Sequence, residues 1–414
     1  MKLDIGKWLP ILIIVYSLIF PLFDSSVYFG ILVASTTIFL GIYLIVTKLY
    51  VDKTRKLVLF CLLVLWVGSA IGMYFFSIPY GLHMSLNNLG EYFKLPYYFL
   101  LLLVFFNFFD RVDVSADKIF MLVFLIISFI GFLSLITPTI ALLYTSPKMV
   151  HVNRLSAPFI NPYTFAFTLS FYVLYFFSGI VLGWRSIKER YASTGLFFIS
   201  FVLLLLTQSR SIIFALLLIL GITPLLLMIF IRKKSRNLYG IKVGRVCVFA
   251  CLAMFIFYVS LEVMDLRYTA QLFEQITNSG RVNSGSVEVR INQIFQVFTY
   301  FGDYPLAVFF GFGPAKDEFR LLESGYAYIL YRHGFFGVII YSCLFIFLAR
   351  RASWVFLQDG KPLFLGSFLF ILSLPLLLSS SMHIEHPKAS MFFIMLIALI
   401  TCKSSDVFTR KLAE

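Results

Sequence analysis

The chain has 414 residues, 60% of them hydrophobic, 19% aromatic and 13% charged, and a formal net charge of +14. With a mean hydropathy of +0.93, this composition excludes a soluble domain and points to a protein that crosses a membrane several times. Anionic lipid headgroups account for the excess of positive charge, so no nucleic-acid partner is needed.

A helix needs about 20 mainly apolar residues to cross the roughly 30 Å hydrocarbon core. Cutting the chain where charge clusters interrupt such runs predicts twelve spans, near 8–23, 27–47, 57–76, 95–109, 118–138, 163–183, 194–208, 211–231, 246–263, 325–349, 364–380 and 388–402. The fold expected is an all-α polytopic membrane protein in three parts: nine spans with short loops over 1–263, a long loop over 264–324, and three spans with a tail over 325–414. No internal repeat is visible.

The first run, from Trp8 to Phe23, starts on Lys2 and Lys7 but ends in Asp24-Ser25-Ser26 with no small-x-small cleavage site, so it reads as a signal anchor. Basic residues in short loops stay in the cytoplasm. Lys48, Lys53, Arg55 and Lys56, and later Arg232, Lys233, Lys234, Arg236, Lys242 and Arg245, therefore mark the inner side. Both termini are then cytoplasmic and the long loop is outside. Cys61, Cys247, Cys251, Cys343 and Cys402 all map to the inner half of a span or its inner end, and read as small buried hydrophobes.

Arg210 lies between Leu203–Leu206 and Ile212–Leu216 at a membrane boundary; mid-membrane placement would cost about 2.5–3.5 kcal/mol. It either snorkels to the headgroups or faces the bundle and forks onto a phosphate, with the hydroxyls of Thr207, Ser209 and Ser211 alongside. In the long loop, Arg281 occupies a Gly/Ser/Asn turn suited to an anion or simply to solvent. Val287, Ile291, Ile294, Phe295 and Phe298 form the apolar stripe of an amphipathic helix at the outer interface, with Arg290 off the stripe. Glu323 heads the tenth span, either as a helix-end charge or as a general base for a hydroxyl. His333 reads as a packed residue. The spacing of His383, Glu385 and His386 matches no zinc signature. No Gly-rich phosphate loop and no cytoplasmic nucleotide domain are present, so any substrate must arrive already activated.

Four stretches in order, Arg154-Leu-Ser-Ala-Pro-Phe-Ile-Asn161-Pro, Thr207-Gln-Ser-Arg210-Ser, Arg290 with Gly311-Phe-Gly-Pro, and Glu323-Ser-Gly-Tyr326 through His333-Gly, together resemble the O-antigen ligase/polymerase superfamily of bacterial envelope glycan enzymes. The resemblance implies a GT-C-like, metal-independent and cofactor-free glycosyltransferase in the bacterial inner membrane. Its substrate would be an undecaprenyl-diphosphate-linked glycan, and a chain-length regulator is a candidate partner. By motif position, Arg210 and Arg290 would hold the diphosphate and Glu323 would be the catalytic base. Arg154, Asn161, Arg281 and Tyr326 would bind substrate. Ligases of the superfamily carry His-Asn where this chain has Glu323-Ser324, which favours a polymerase. A ligase acting on lipid A-core, and a polytopic transporter or flippase of lipid-linked oligosaccharide, are the alternatives.

Overall fold

The computed structural model describes residues 5–22, 26–47, 51–78, 81, 86–111, 116–145, 154–182, 187–232, 251, 285–314 and 324–402. Among these the regular secondary structure is helical, with no strand. The helices are α1 (Ile5–Ile19), α2 (Ser26–Val46), α3 (Lys53–Gly72), α4 (Leu86–Arg111), α5 (Ala116–Ile136), α6 (Pro138–Leu142), α7 (Pro162–Leu182), α8 (Ile187–Leu206), α9 (Arg210–Arg232), α10 (Gly285–Asp303), α11 (Ala307–Phe310), α12 (Gly325–Asp359), α13 (Pro362–Leu378) and α14 (Pro387–Cys402). A π-helical turn, Met73–Ser77, extends α3, and a 3-10 turn, His383–Glu385, precedes α14.

Among the described residues, six helical stretches are long and apolar enough to cross a membrane: Lys53–Ser77, Gly90–Asp110, Ala116–Ile136, Pro162–Leu182, Arg210–Ile229 and Gly325–Asp359. Five shorter apolar helices, Trp8–Ile19, Gly30–Val46, Tyr191–Leu206, Pro362–Leu378 and Pro387–Cys402, coincide with other expected spans. The expected ninth span, 246–263, lies outside the described residues apart from Cys251. Exposed side chains such as Ile45, Phe60, Ile136 and Ile346 are what a lipid-facing surface requires. The cysteines do not all behave as expected. Cys402 is buried, but Cys251 and Cys343 are exposed, because sequence position along a span does not say which side of the helix faces its neighbours.

The chain forms two compact units: unit 1 is 1–126, 286–347 and 378–414, and unit 2 is 127–285 and 348–377. Unit 1 is built on α14, which is buried along its whole length and packs against α4. A helix that is apolar on every side belongs at the centre of a bundle. Unit 2 is built in the same way on α7, packed against α8 and α9. Asn161 starts α7: its Oδ1 accepts from Thr164 N at 2.8 Å and from Thr164 Oγ1 at 2.7 Å, and Pro162 follows at the first helical position. Gly366 on α13 meets α7 so closely that a Cβ there would lie 2.6 Å from Tyr175 Cα.

Both ends of unit 1 are tied by buried charge. At one end the Arg55 guanidinium, its side chain fully buried in the first turn of α3, forks onto Asp110 at the foot of α4 through Nη2–Oδ1 at 2.6 Å and a second Nη1–Oδ2 contact. Asp52 caps the same helix by accepting from Arg55 N at 2.8 Å. At the other end Lys388 donates to the carbonyls of Leu18 (3.0 Å) and Phe20 (2.9 Å), satisfying acceptors that the end of α1 leaves open.

Helix α12 is broken at Gly334 (φ 60, ψ −163). Its interrupted carbonyls find partners elsewhere: Tyr331 O accepts from Phe312 N at 2.7 Å and Arg332 O from Gly313 N at 3.1 Å. The Phe312 carbonyl in turn accepts from Ser77 Oγ in the π-helical turn. The run Gly311–Gly313 thus completes a helix end that lipid would leave unsatisfied. Phe312 anchors the run by stacking on Tyr331 (5.1 Å) and Phe301 (5.9 Å).

A Cβ on Gly334 would lie 2.5 Å from Phe309 O, at a φ that L-residues avoid. Gly334→Ala is therefore expected to cost about 3 kcal/mol or more, read as a lowered unfolding midpoint in detergent. Gly302→Ala, where the Cβ meets nothing within 4 Å, should leave the midpoint unchanged or slightly raised. Equal midpoints for the two variants would contradict the role given to the break.

Candidate functional site

At the head of α12, Ser324 N donates to Gln293 Oε1 on α10 at 3.2 Å. Arg290 precedes Gln293 by three residues and Val297 and Phe301 follow it, so all four share one helical face. Val297 and Phe301 are buried in a cluster with Phe312 and Tyr331, and Arg290 is half-buried. The apolar residues Ile291, Phe295 and Phe298 are exposed on the other side. The expected amphipathic helix is present, and Arg290 lies off the exposed stripe because 3.6-residue periodicity places it with Gln293. Ile294 departs from the expectation by packing on the buried cluster.

The segment after α13 closes over the same point. A Cβ on Gly325 would lie 2.5 Å from Leu378 O and 3.0 Å from Ser381 O, so only glycine permits this contact. His383 follows, 2% exposed, with Nε2 2.9 Å from Ser380 Oγ. Burial, and then the positive charge of Arg290, push its proton affinity down to about 3, so the imidazole is neutral at physiological pH. The Arg290–Gln293 stretch of α10, the head of α12 and residues 378–385 thus form one polar locus in unit 1.

One turn deeper stands a buried ionic network. Arg332 Nη1, on a residue 3% exposed, lies 2.7 Å from Glu385 Oε2 and 3.3 Å from Glu91 Oε2. Arg332 also donates to Tyr328 Oη and, through Nη2, to the Glu91 carbonyl. Lys94 Nζ is 2.6 Å from both Glu91 oxygens. Tyr328 Oη donates to Glu385 Oε2, Tyr341 Oη to Glu385 Oε1 at 3.4 Å, and Tyr98 Oη to the Glu385 carbonyl at 2.7 Å. Two carboxylates and two cations balance, as a low-dielectric site demands.

The run from Glu91 to Asp110 along α4 covers roughly 29 Å at about 1.5 Å per residue, close to the hydrocarbon thickness of about 30 Å. The Arg332 and Arg55 networks therefore sit at opposite edges of that layer.

The residues nominated from sequence divide between the units. Arg290 and Tyr326 are in unit 1, with Tyr326 exposed on the first turn of α12. Arg154, Asn161 and Arg210 are in unit 2. Arg210 is half-buried as the first residue of α9, and Ser209 beside it is fully buried with no hydrogen-bond partner for its Oγ. Thr207 Oγ1, expected to face a phosphate, instead donates to Leu204 O at 2.6 Å. Arg154 is spent largely on the chain itself: Nε donates to Thr207 O (3.1 Å), Nη2 to Gln208 O (3.4 Å), and its guanidinium lies 4.9 Å from the Tyr163 ring centroid. It pins the turn that presents Arg210. Asn161 caps α7. Arg281 and Glu323 lie outside the described residues.

Sequence reading passed over Glu91, Lys94 and Arg332. A charge at the end of an apolar run looks like a loop charge, and only the pairing of α4 with α12 and the 3-10 turn shows otherwise. His383 and Glu385, weighed together as metal ligands, have separate partners, Ser380 and Arg332. His333 is buried as expected, its ring 6.0 Å from that of Tyr341. No protein-family model matches the chain, and no curated protein matches it.

Arg332→Met leaves Glu91 and Glu385 under-compensated and is expected to destabilise by about 3–5 kcal/mol. Adding Glu385→Gln should restore part of this, and strictly additive losses in the unfolding midpoints would contradict the pairing. Between pH 6.5 and about 3 the unfolded chain protonates His383 and the folded chain does not. Stability therefore falls as pH drops below 6.5, by about 2 kcal/mol at pH 5, and His383→Gln should flatten that slope.

Proposed function

We propose that this protein is a membrane glycosyltransferase that joins undecaprenyl-diphosphate-linked oligosaccharide repeat units into O-antigen or a related surface polysaccharide. In this reading the chain crosses a bacterial inner membrane twelve times in a GT-C-like arrangement, with both termini in the cytoplasm and the loop over 264–324 in the periplasm. One observation carries the reading: the segments on which the family resemblance rests pack on one another in pairs. Leu155 N donates to Leu206 O at 3.0 Å and Arg154 holds Thr207 and Gln208, which joins the first motif to the second. Gly311–Gly313 hydrogen-bonds to Tyr331 and Arg332, which joins the third to the fourth. Segments drawn together by chance composition have no reason to pair in this way.

The chemistry follows from the residues. Breaking an anomeric C–O bond develops negative charge on the departing diphosphate, and fixed guanidinium groups in a low-dielectric site stabilise that charge better than water does. By motif position, Arg210 and Arg290 are the candidates for this role, in place of a metal. By motif position, Glu323 is the candidate to take the proton of the acceptor hydroxyl, and Arg154, Asn161, Arg281 and Tyr326 are the candidates to bind the glycan. Attack from the face opposite the diphosphate inverts the anomeric centre. A chain-length regulator is the natural partner for such an enzyme.

A flippase reading calls for charge in the middle of spans. Among the described residues Arg55 and Lys388 lie in the first turns of their helices, while Arg332 sits eight residues into α12 with its charge balanced by Glu91 and Glu385.

A deletion strain is expected to carry core capped by single repeat units. Long carrier-bound chains beside bare core would instead identify a ligase. Arg290→Ala and Arg210→Ala, with expression verified, should each lower polymer yield at least 100-fold, and normal chain lengths from both would refute the diphosphate assignment.

A further inference from the structure

We infer that His383, acting through Ser380, is the group that receives the proton of the attacking hydroxyl. The inference rests on the polymerase reading and replaces the residue assigned to one of its steps. It stands on the hydrogen bond between Ser380 Oγ and His383 Nε2 (2.9 Å), buried beside Arg290 and packed under the head of α12. Around this point the carboxylate of Glu385 is committed: one oxygen accepts from Arg332 and Tyr328, the other from Tyr341. His383 pairs with the Ser380 hydroxyl, and a hydroxyl passes a proton on.

Enzymes activate oxygen nucleophiles with a hydroxyl held by an imidazole that a third, usually anionic, group orients; here the third group is the cation Arg290, which disfavours imidazolium. Here the nucleophile is the sugar hydroxyl and Ser380 is the relay. The acceptor oxygen forms the new bond to the donor's anomeric carbon, and the bond from that carbon to the diphosphate oxygen breaks, with its electron pair leaving on the diphosphate. The acceptor proton passes to Ser380 Oγ as the Ser380 proton passes to His383 Nε2. The imidazolium so formed faces the newly released negative charge, and later returns its proton to water.

Arg290 gives the step a built-in order. Its positive charge disfavours imidazolium while the site is empty. Burial is the larger cause of that low proton affinity, and a diphosphate on Arg290 offsets the smaller, electrostatic one, which raises the proton affinity of His383 when a leaving group is present.

The test uses purified full-length protein and the undecaprenyl-diphosphate-linked oligosaccharide that accumulates in the deletion strain, radiolabelled. His383→Gln should lower the polymerisation rate at least 100-fold while leaving the affinity for undecaprenyl diphosphate within threefold of wild type. Ser380→Ala, which keeps the imidazole, should lower the rate about tenfold, and it decides the matter if His383→Gln does not fold. A His383→Gln rate within threefold of wild type overturns the assignment, as does a Ser380→Ala rate equal to wild type when His383→Gln cannot be obtained. Loss of undecaprenyl diphosphate affinity in parallel with rate also overturns it, by showing a structural role. If wild-type protein makes no polymer from this substrate, the polymerase reading falls, whereas active wild type beside equally active variants removes only the His383 step.

Discussion

The buried guanidinium of Arg332 ties together parts of the chain more than 240 residues apart in sequence. It meets Glu91 on α4 and Glu385 in the 3-10 turn before α14, and its own helix is interrupted two residues later at Gly334. Each feature makes the others necessary. A broken helix in an apolar surrounding exposes carbonyls that need donors, and the Gly311–Gly313 run supplies them. A buried cation needs carboxylates, which fix where α4 and the 3-10 turn lie against α12. Ser77, Phe312 and Tyr331 extend the same constraint to the end of α3 and to α10.

The second constraint is the membrane. Arg55 with Asp110 at one end of unit 1, and Arg332 with its carboxylates at the other, are separated by about one hydrocarbon thickness along α4. Charge pairs at both edges resist sliding of the bundle across the bilayer, since either displacement would draw an ionic cluster into hydrocarbon. The exposed row Ile291, Phe295 and Phe298 on α10 adds an apolar surface near the Arg332 edge. The polar locus of Arg290, Ser324, Ser380 and His383 lies at the same end of unit 1 as the Arg332 cluster.

In the proposed glycosyl transfer, cations would hold the leaving group while a nearby group took a proton, and these requirements conflict when the groups are neighbours. Burial resolves the conflict for His383, whose imidazole stays neutral beside Arg290. In unit 2, Arg154 holds the turn before Arg210 through the carbonyls of Thr207 and Gln208. Precise placement of arginines is itself a form of catalysis, because no reorganisation is then needed as charge develops.

Composition alone determined that the chain crosses a membrane as helices, since twenty-residue apolar runs admit no other structure in hydrocarbon. Most helix positions were legible for the same reason, as were the amphipathic character of α10 and the burial of His333. The break at Gly334 was not, because a glycine inside an apolar run looks the same whether or not its φ is positive. The Arg55–Asp110 and Arg332–Glu91–Glu385 clusters were hidden because pairing depends on which helices touch, and hydropathy says only how long each one is. Arg290 and Arg210 were nominated from motif position, but the roles of Arg154 in bracing a turn, of Asn161 in capping α7 and of His383 in facing Ser380 came from packing. Sequence names the groups able to carry charge; only the fold decides which of them are already neutralised by a neighbour.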